Sequence, residues 1–214
     1  MKYLFAIAAF VLGTVGAFAQ SELSQVKGGD KLVYKYVVYG ERGREIFEDK
    51  TSELPATFVV TEKGYAIRYK AGRVEQYDER HTLQSVFSRG TLYPYSPEEQ
   101  FRWMPKDLTV GKKEETSYLV PSKECSGVKN TFPDVSVQEG ERKLIVQGVE
   151  RTIQVQVLTY KGKWSGSGSC GSGRFETTVV FSKELNLVLE KKSLNFLPTG
   201  FLYAGEARIV LSIN

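Results

Sequence analysis

From Asp30 onward, apolar and polar residues alternate in short runs along most of this chain. In residues 150–158, Ile153, Val155 and Val157 fall on one side and Thr152, Gln154 and Gln156 on the other, a period of two that a half-buried strand requires. After the glycine- and serine-rich run SGSGSCGSG, the residues Phe175, Thr177, Val179 and Phe181 alternate with Glu176, Thr178 and Val180. A tight turn over Ser182 to Asn186 then returns the chain as Leu187 to Asn195, which makes a meander with one greasy face.

The first half has the same grammar. LVYKYVVYG sets Leu32, Tyr34, Tyr36 and Val38 against Val33, Lys35, Val37 and Tyr39, and GREIFEDK answers it across Glu41-Arg42-Gly43 as a hairpin. Pro55 is expected to open the next strand, ATFVVTE. A turn at Lys63-Gly64 then returns YAIRYKAG with Tyr65, Ile67 and Tyr69 inward and Ala66, Arg68 and Lys70 outward. RVEQYDERHTLQSVFSRG holds one or two more strands, and LTVGKKEETSYLVP holds another that ends by Pro121. The last segment, FLYAGEARIVLSIN, puts Tyr203, Ala207, Ile209, Leu211 and Ile213 on one face and Glu206, Arg208 and Ser212 on the other.

One helical signal interrupts the strands. Ser96 as N-cap, Pro97 at the first helical position and Glu99 three residues after the cap predict a short linking helix over 97–103, which Pro105 stops. The fold class that follows is all-β: an antiparallel meander forming a sandwich or a strongly curved half-barrel sheet. It is one domain over 20–214, with sheet-forming halves at 30–95 and 107–214.

Residues 1–19 read as a signal peptide, with Lys2 before an apolar run and Ala17-Phe18-Ala19 as the cleavage site. No cysteine follows that run to take a lipid anchor, and no other segment has the apolar length of a spanning helix. Export implies a periplasmic or secreted protein. The whole chain carries a formal net charge of +4. That balance argues against nucleic acid as a partner, because nucleic-acid binding calls for clustered Lys and Arg.

Two cysteines bear on the longest irregular stretch. Lys123 to Glu141 shows no periodicity and reads as a loop that something must tie down. In an oxidising compartment Cys125 and Cys170 are expected to pair, closing a loop that constrains the unfolded chain by about 4 kcal/mol.

The second half, with its strand after LTVG, VQGVERTIQVQVL, a glycine-rich hairpin and TTVVFSKELNLVLEKKSLN, resembles bacterial exported all-β domains of unknown function. The resemblance covers about half of the chain. It implies an envelope protein with a curved antiparallel sheet and supplies no catalytic residues.

Candidate chemistry is thin. Gly166-x-Gly168-x-x-Gly171 matches a dinucleotide-binding fingerprint in spacing only, since it feeds a strand where that chemistry needs a helix N-terminus. His81, the single histidine, lies in the charged turn Asp78-Glu79-Arg80-His81. With two distant cysteines it makes neither a convincing Cys-His pair nor a zinc tetrahedron, so no metal and no cofactor are expected. The acid pairs Glu98-Glu99, Glu114-Glu115 and Glu139/Glu141 read as solvated surface.

Aromatic supply is the feature left over, with 12 Tyr, 12 Phe and 2 Trp. Tyr34, Tyr36, Tyr65 and Tyr69 share the inward type of face and are the candidate ligand-binding residues, suited to an acyl chain or the flat face of a sugar. The sequence therefore points to a non-catalytic binding or structural protein of the cell envelope whose partner is a lipid, a glycan or another envelope protein. A secreted hydrolase using carboxylates and an outer-membrane β-barrel are its rivals.

Overall fold

The computed structural model describes residues 25–95, 116–120, 128–166 and 171–214. The expected signal peptide, the linking helix at 97–103 and both cysteines of the expected disulfide lie outside the described residues. Within them the chain is all strand and turn. Twelve strands run as β1 (Lys31–Arg42), β2 (Glu45–Thr61), β3 (Gly64–Tyr69), β4 (Val74–Asp78), β5 (Leu83–Ser88), β6 (Thr91–Pro94), β7 (Thr116–Val120), β8 (Val128–Val146), β9 (Val149–Gly166), β10 (Ser172–Ser182), β11 (Leu187–Phe196) and β12 (Leu202–Ile213).

They form one sheet in the order β6-β5-β4-β3-β2-β1-β12-β11-β10-β9-β8-β7. Neighbours in that order are antiparallel. The last strand therefore sits in the middle, joining two meanders along its two edges. Beyond its antiparallel partner β11, β12 also meets β8 in a short parallel contact, Ser212 opposite Ile145 and Ile213 opposite Val146.

The sheet curls over itself. Phe58 of β2 and Tyr65 of β3 share one buried cluster with Leu144 of β8, Ile153 and Val155 of β9, and Val180 of β10, strands far from them in the sheet order. A second cluster holds Val137, Leu158, Tyr160, Trp164, Phe175, Val179 and Phe181. The long strand β9 feeds both. Ile153 and Val155 bury one face of it, and Gln156, Leu158 and Tyr160 bury the other farther along. In β10 plain alternation feeds both clusters, sending Val180 to the first and Val179 and Phe181 to the second.

Three local expectations are corrected. Pro55 does not open a strand but lies inside the 17-residue β2, opposite Val33. The β2–β3 ladder begins at Ala56, and Pro55 sits at its end, where its carbonyl still accepts from the Lys70 N–H at 2.9 Å and only the missing proline N–H goes unused. The stretch expected to be a loop up to Glu141 is strand from Val128, because β9 supplies a partner for nearly every residue of β8. Long-range pairing overrides weak local propensity there.

The apolar face of β12 also slips phase. The register against β1 jumps between Val33 and Tyr34, so that Val210 and Ile213 are buried while Leu211 is exposed, and Tyr203 is exposed at the shift against β11 between Asn195 and Phe196. The tight hairpin turn is as expected, with Leu185 tucked inward and its N–H donating to Ser182 Oγ at 3.2 Å. Among the described residues no helix is long and apolar enough to cross a membrane.

Candidate functional site

β3 is unbroken, and its odd positions Tyr65, Ile67 and Tyr69 all reach the concave side of the curled sheet. β4 runs beside it in register, placing Tyr77 opposite Tyr65 and Glu75 opposite Ile67. Tyr65 stacks between Phe58 and Tyr77, with ring centroids 5.1 and 5.0 Å away. Tyr34 of β1 leans on Tyr69 at 5.8 Å. Tyr34, Tyr65, Tyr69 and Tyr77 line a cavity of about 400 Å³ whose other side comes from β10, β11 and β12, while Phe58 backs Tyr65 from outside it.

Of the four tyrosines singled out in the sequence, Tyr34, Tyr65 and Tyr69 line this cavity. Tyr36 does not, although it is nearby: its hydroxyl donates to Glu206 Oε2 at 3.0 Å. The three that line the cavity are each at most 7% exposed, so they are at once core and wall.

The polar end is built on Glu75, which is 1% exposed. Its carboxylate accepts from Arg208 Nη1 at 2.6 and 2.8 Å, from Arg73 Nε at 2.7 Å, from Tyr77 Oη at 2.9 Å and from Tyr69 Oη at 3.2 Å. Burial alone would raise its pKa, but the two guanidinium groups bring it down to about 2. Arg208 is held charged in return, because Glu75 outweighs the burial that opposes its charge. Burial pushes the hydroxyls of Tyr34, Tyr65, Tyr69 and Tyr77 above the usual phenol range, so all four are neutral donors.

His81 closes the opposite end. The turn before it is fixed by Asp78, whose Oδ1 accepts from the backbone N–H groups of Arg80 and Thr82. The left-handed backbone of His81, φ 57°, then turns the ring inward. The ring is 4% exposed, 2.8 Å from Tyr65 Oη through Nδ1 and edge-on to Phe181. Burial lowers its pKa, which favours the neutral imidazole. The residue lies in the charged turn that the sequence marks, but its ring is buried.

Sequence reasoning missed Glu75, Arg73, Tyr77, Arg208 and Lys191. Only Tyr77 carried a usable signal, since it extends the tyrosine pattern of the preceding strand. Glu139 and Glu141 are exposed on β8, as expected of solvated surface, and the other two acid pairs lie outside the described residues. The glycine-rich run connects β9 to β10, a strand, so the helix that a pyrophosphate would need does not follow it.

No family model matches the chain, and no curated protein does. Among solved structures it is similar to one described as a "putative lipoprotein" from Parabacteroides distasonis, with 8% identity and a TM-score of 0.43 over 89% of this chain and 97% of that one. Likeness at that level carries no argument about function.

Proposed function

We propose that this is an exported, soluble protein of the cell envelope that binds a small amphipathic molecule in the tyrosine-walled cavity and carries out no catalysis. The sequence of its first 19 residues supports export. The observation that carries the binding reading is the cavity itself. Protein interiors are packed to near-crystal density with few voids larger than a water molecule. A space of about 400 Å³ lined by five tyrosines, Tyr34, Tyr65, Tyr69, Tyr77 and Tyr95, is within the range of small-molecule sites, roughly 300–1,000 Å³. Its lining divides into an apolar part, with Ile67, Leu83, Val179 and Leu187, and a charged end at Glu75 and Arg208.

Two carboxylates, Glu75 and Glu206, do line the same cavity, which is the arrangement a hydrolase would need. A general acid needs a pKa near the working pH, and Glu75 at about 2 has no proton to give there. Its two oxygens are also fully engaged by arginine and tyrosine donors, which leaves no open nucleophile.

Native mass spectrometry of the protein purified from its own envelope tests the reading. The expected spectrum shows a small molecule that is released on denaturation, with lower occupancy in Tyr77→Ala. A protein that carries no such molecule, and that takes up neither decanol nor decanoate when they are added, would contradict it.

A further inference from the structure

Resting on that binding reading, we propose that the ligand is an uncharged amphiphile whose hydroxyl or carbonyl oxygen accepts a hydrogen bond from Tyr34 Oη inside the cavity. The ground is how the hydroxyl groups of the lining are used. Four tyrosines reach the cavity from β1, β3 and β4, and three of them have their hydroxyls engaged within the protein. Tyr65 Oη lies 2.8 Å from His81 Nδ1, and Tyr77 Oη donates to Glu75 Oε2 at 2.9 Å. Tyr69 Oη donates to the same oxygen at 3.2 Å and accepts from Arg208 Nη1 at 3.3 Å. Tyr34 Oη has no hydrogen-bond partner among the described residues.

Tyr34 is 6% exposed. A hydroxyl taken out of water and given no partner costs stability. A phenylalanine at this position would pack against Tyr69 and the apolar cluster without that cost. The oxygen therefore does nothing for the fold, and a guest that brings an acceptor turns it into a favourable contact.

Its place suits an amphiphile. Tyr34 belongs to the buried cluster that holds Ile67 and Leu187. Its ring also leans on Tyr69, 5.8 Å away between centroids, whose hydroxyl is part of the Glu75 and Arg208 network. The unpaired hydroxyl stands where the apolar wall meets the charged end, the level at which the tail of an amphiphile gives way to its head.

The field there selects an uncharged oxygen. Burial opposes a negative charge at Tyr34 Oη, and Glu75 opposes it more than Arg208 favours it. Both arginines of the lining are already committed to Glu75. Burial and Arg208 bring the Lys191 pKa down to about 7 against the pull of Glu206 and Glu75, so at neutral pH this lysine carries part of a charge. A carboxylate placed at Tyr34 would lose its water at a high cost, whereas a ketone or an alcohol loses little.

The probes are 2-decanone, an uncharged acceptor, and decanoate, which is ionised at neutral pH. Calorimetric titrations at pH 7 compare the native chain with Tyr34→Phe and Tyr77→Phe. Infrared spectra of bound 2-decanone, isotope-labelled at its carbonyl, read the hydrogen bond directly. The native protein is expected to bind 2-decanone at least about tenfold more tightly than decanoate. Tyr34→Phe should bind 2-decanone about three- to tenfold more weakly than the native chain, the effect of one neutral hydrogen bond. The carbonyl band should lie at lower wavenumber in the native protein than in Tyr34→Phe. Tyr34→Phe should melt at the native temperature or above it, whereas Tyr77→Phe should melt below it because Glu75 loses a donor.

An undiminished affinity and an unmoved carbonyl band in Tyr34→Phe would overturn the role of Tyr34 and leave the binding reading standing. Tighter binding of decanoate than of 2-decanone would overturn the uncharged class. A Tyr34→Phe chain that melts well below the native one and binds 2-decanone as tightly would make the hydroxyl structural. Uptake of none of 2-decanone, decanol and decanoate would overturn both proposals.

Discussion

Arg208→Met is expected to lower the unfolding free energy by about 3–5 kcal/mol, read from urea melts at pH 7. The variant leaves Glu75, 2% exposed in its side chain, with neutral tyrosine donors and one arginine, Arg73, which is itself 41% exposed. The cost comes from an uncompensated buried carboxylate more than from the lost contact. Adding Glu75→Leu should therefore recover much of the loss, since well-packed apolar residues replace buried ion pairs at little cost. Equal and additive losses in the two single variants and the double variant would show that the pair does not act as a unit.

The same pair sets an acid limit. Glu75 titrates at about 2 in the folded protein and at 4.5 when unconstrained. As pH falls below 4.5 the unfolded chain takes up a proton that the folded chain refuses until about pH 2. The stability contributed by this group is thus complete above 4.5 and is lost between 4.5 and 2. In Arg208→Met burial acts on Glu75 with less opposition, so its folded pKa rises toward 4.5 and the stability lost to acid from this group shrinks.

Phe181→Ala is the second large effect, at about 3–5 kcal/mol for an aromatic truncated in a closed core. Phe181 is 5% exposed, packs in the cluster with Val179 and Tyr160, and presses its ring against His81 at 4.9 Å between centroids. Its removal opens a void behind the cavity wall. Thermal melts should show the stability loss, and the His81 ring should become mobile by NMR. Phe181→Leu should recover most of both. A stability change below about 1 kcal/mol would mean that the second cluster does not support the wall.

How much of this was legible in the sequence depends on whether a strand keeps its phase. Tyr65, Ile67 and Tyr69 were readable as one face because β3 pairs on both sides without a bulge. In β12 the same reading failed after Val210, where an extra residue against β1 turned Leu211 outward. β8 was missed from Val128 to Glu141 because its strand character comes from β9 and not from its own residues. The charged end was illegible for another reason. A lone glutamate in a strand reads as solvent-facing, and the arginine that neutralises Glu75 is 133 residues away, on a face that alternation alone assigned to water.

The central claim is that these tyrosines enclose a space for a ligand and are not merely packed. Fluorine NMR of the protein labelled with 3-fluorotyrosine, titrated with decanoate and then with decanol, tests it most directly. The resonances of Tyr34, Tyr65, Tyr69 and Tyr77 should move together and saturate, while those of the exposed Tyr93 and Tyr203 stay in place. Movement confined to Tyr93 and Tyr203, or no saturable movement with either probe, would contradict it.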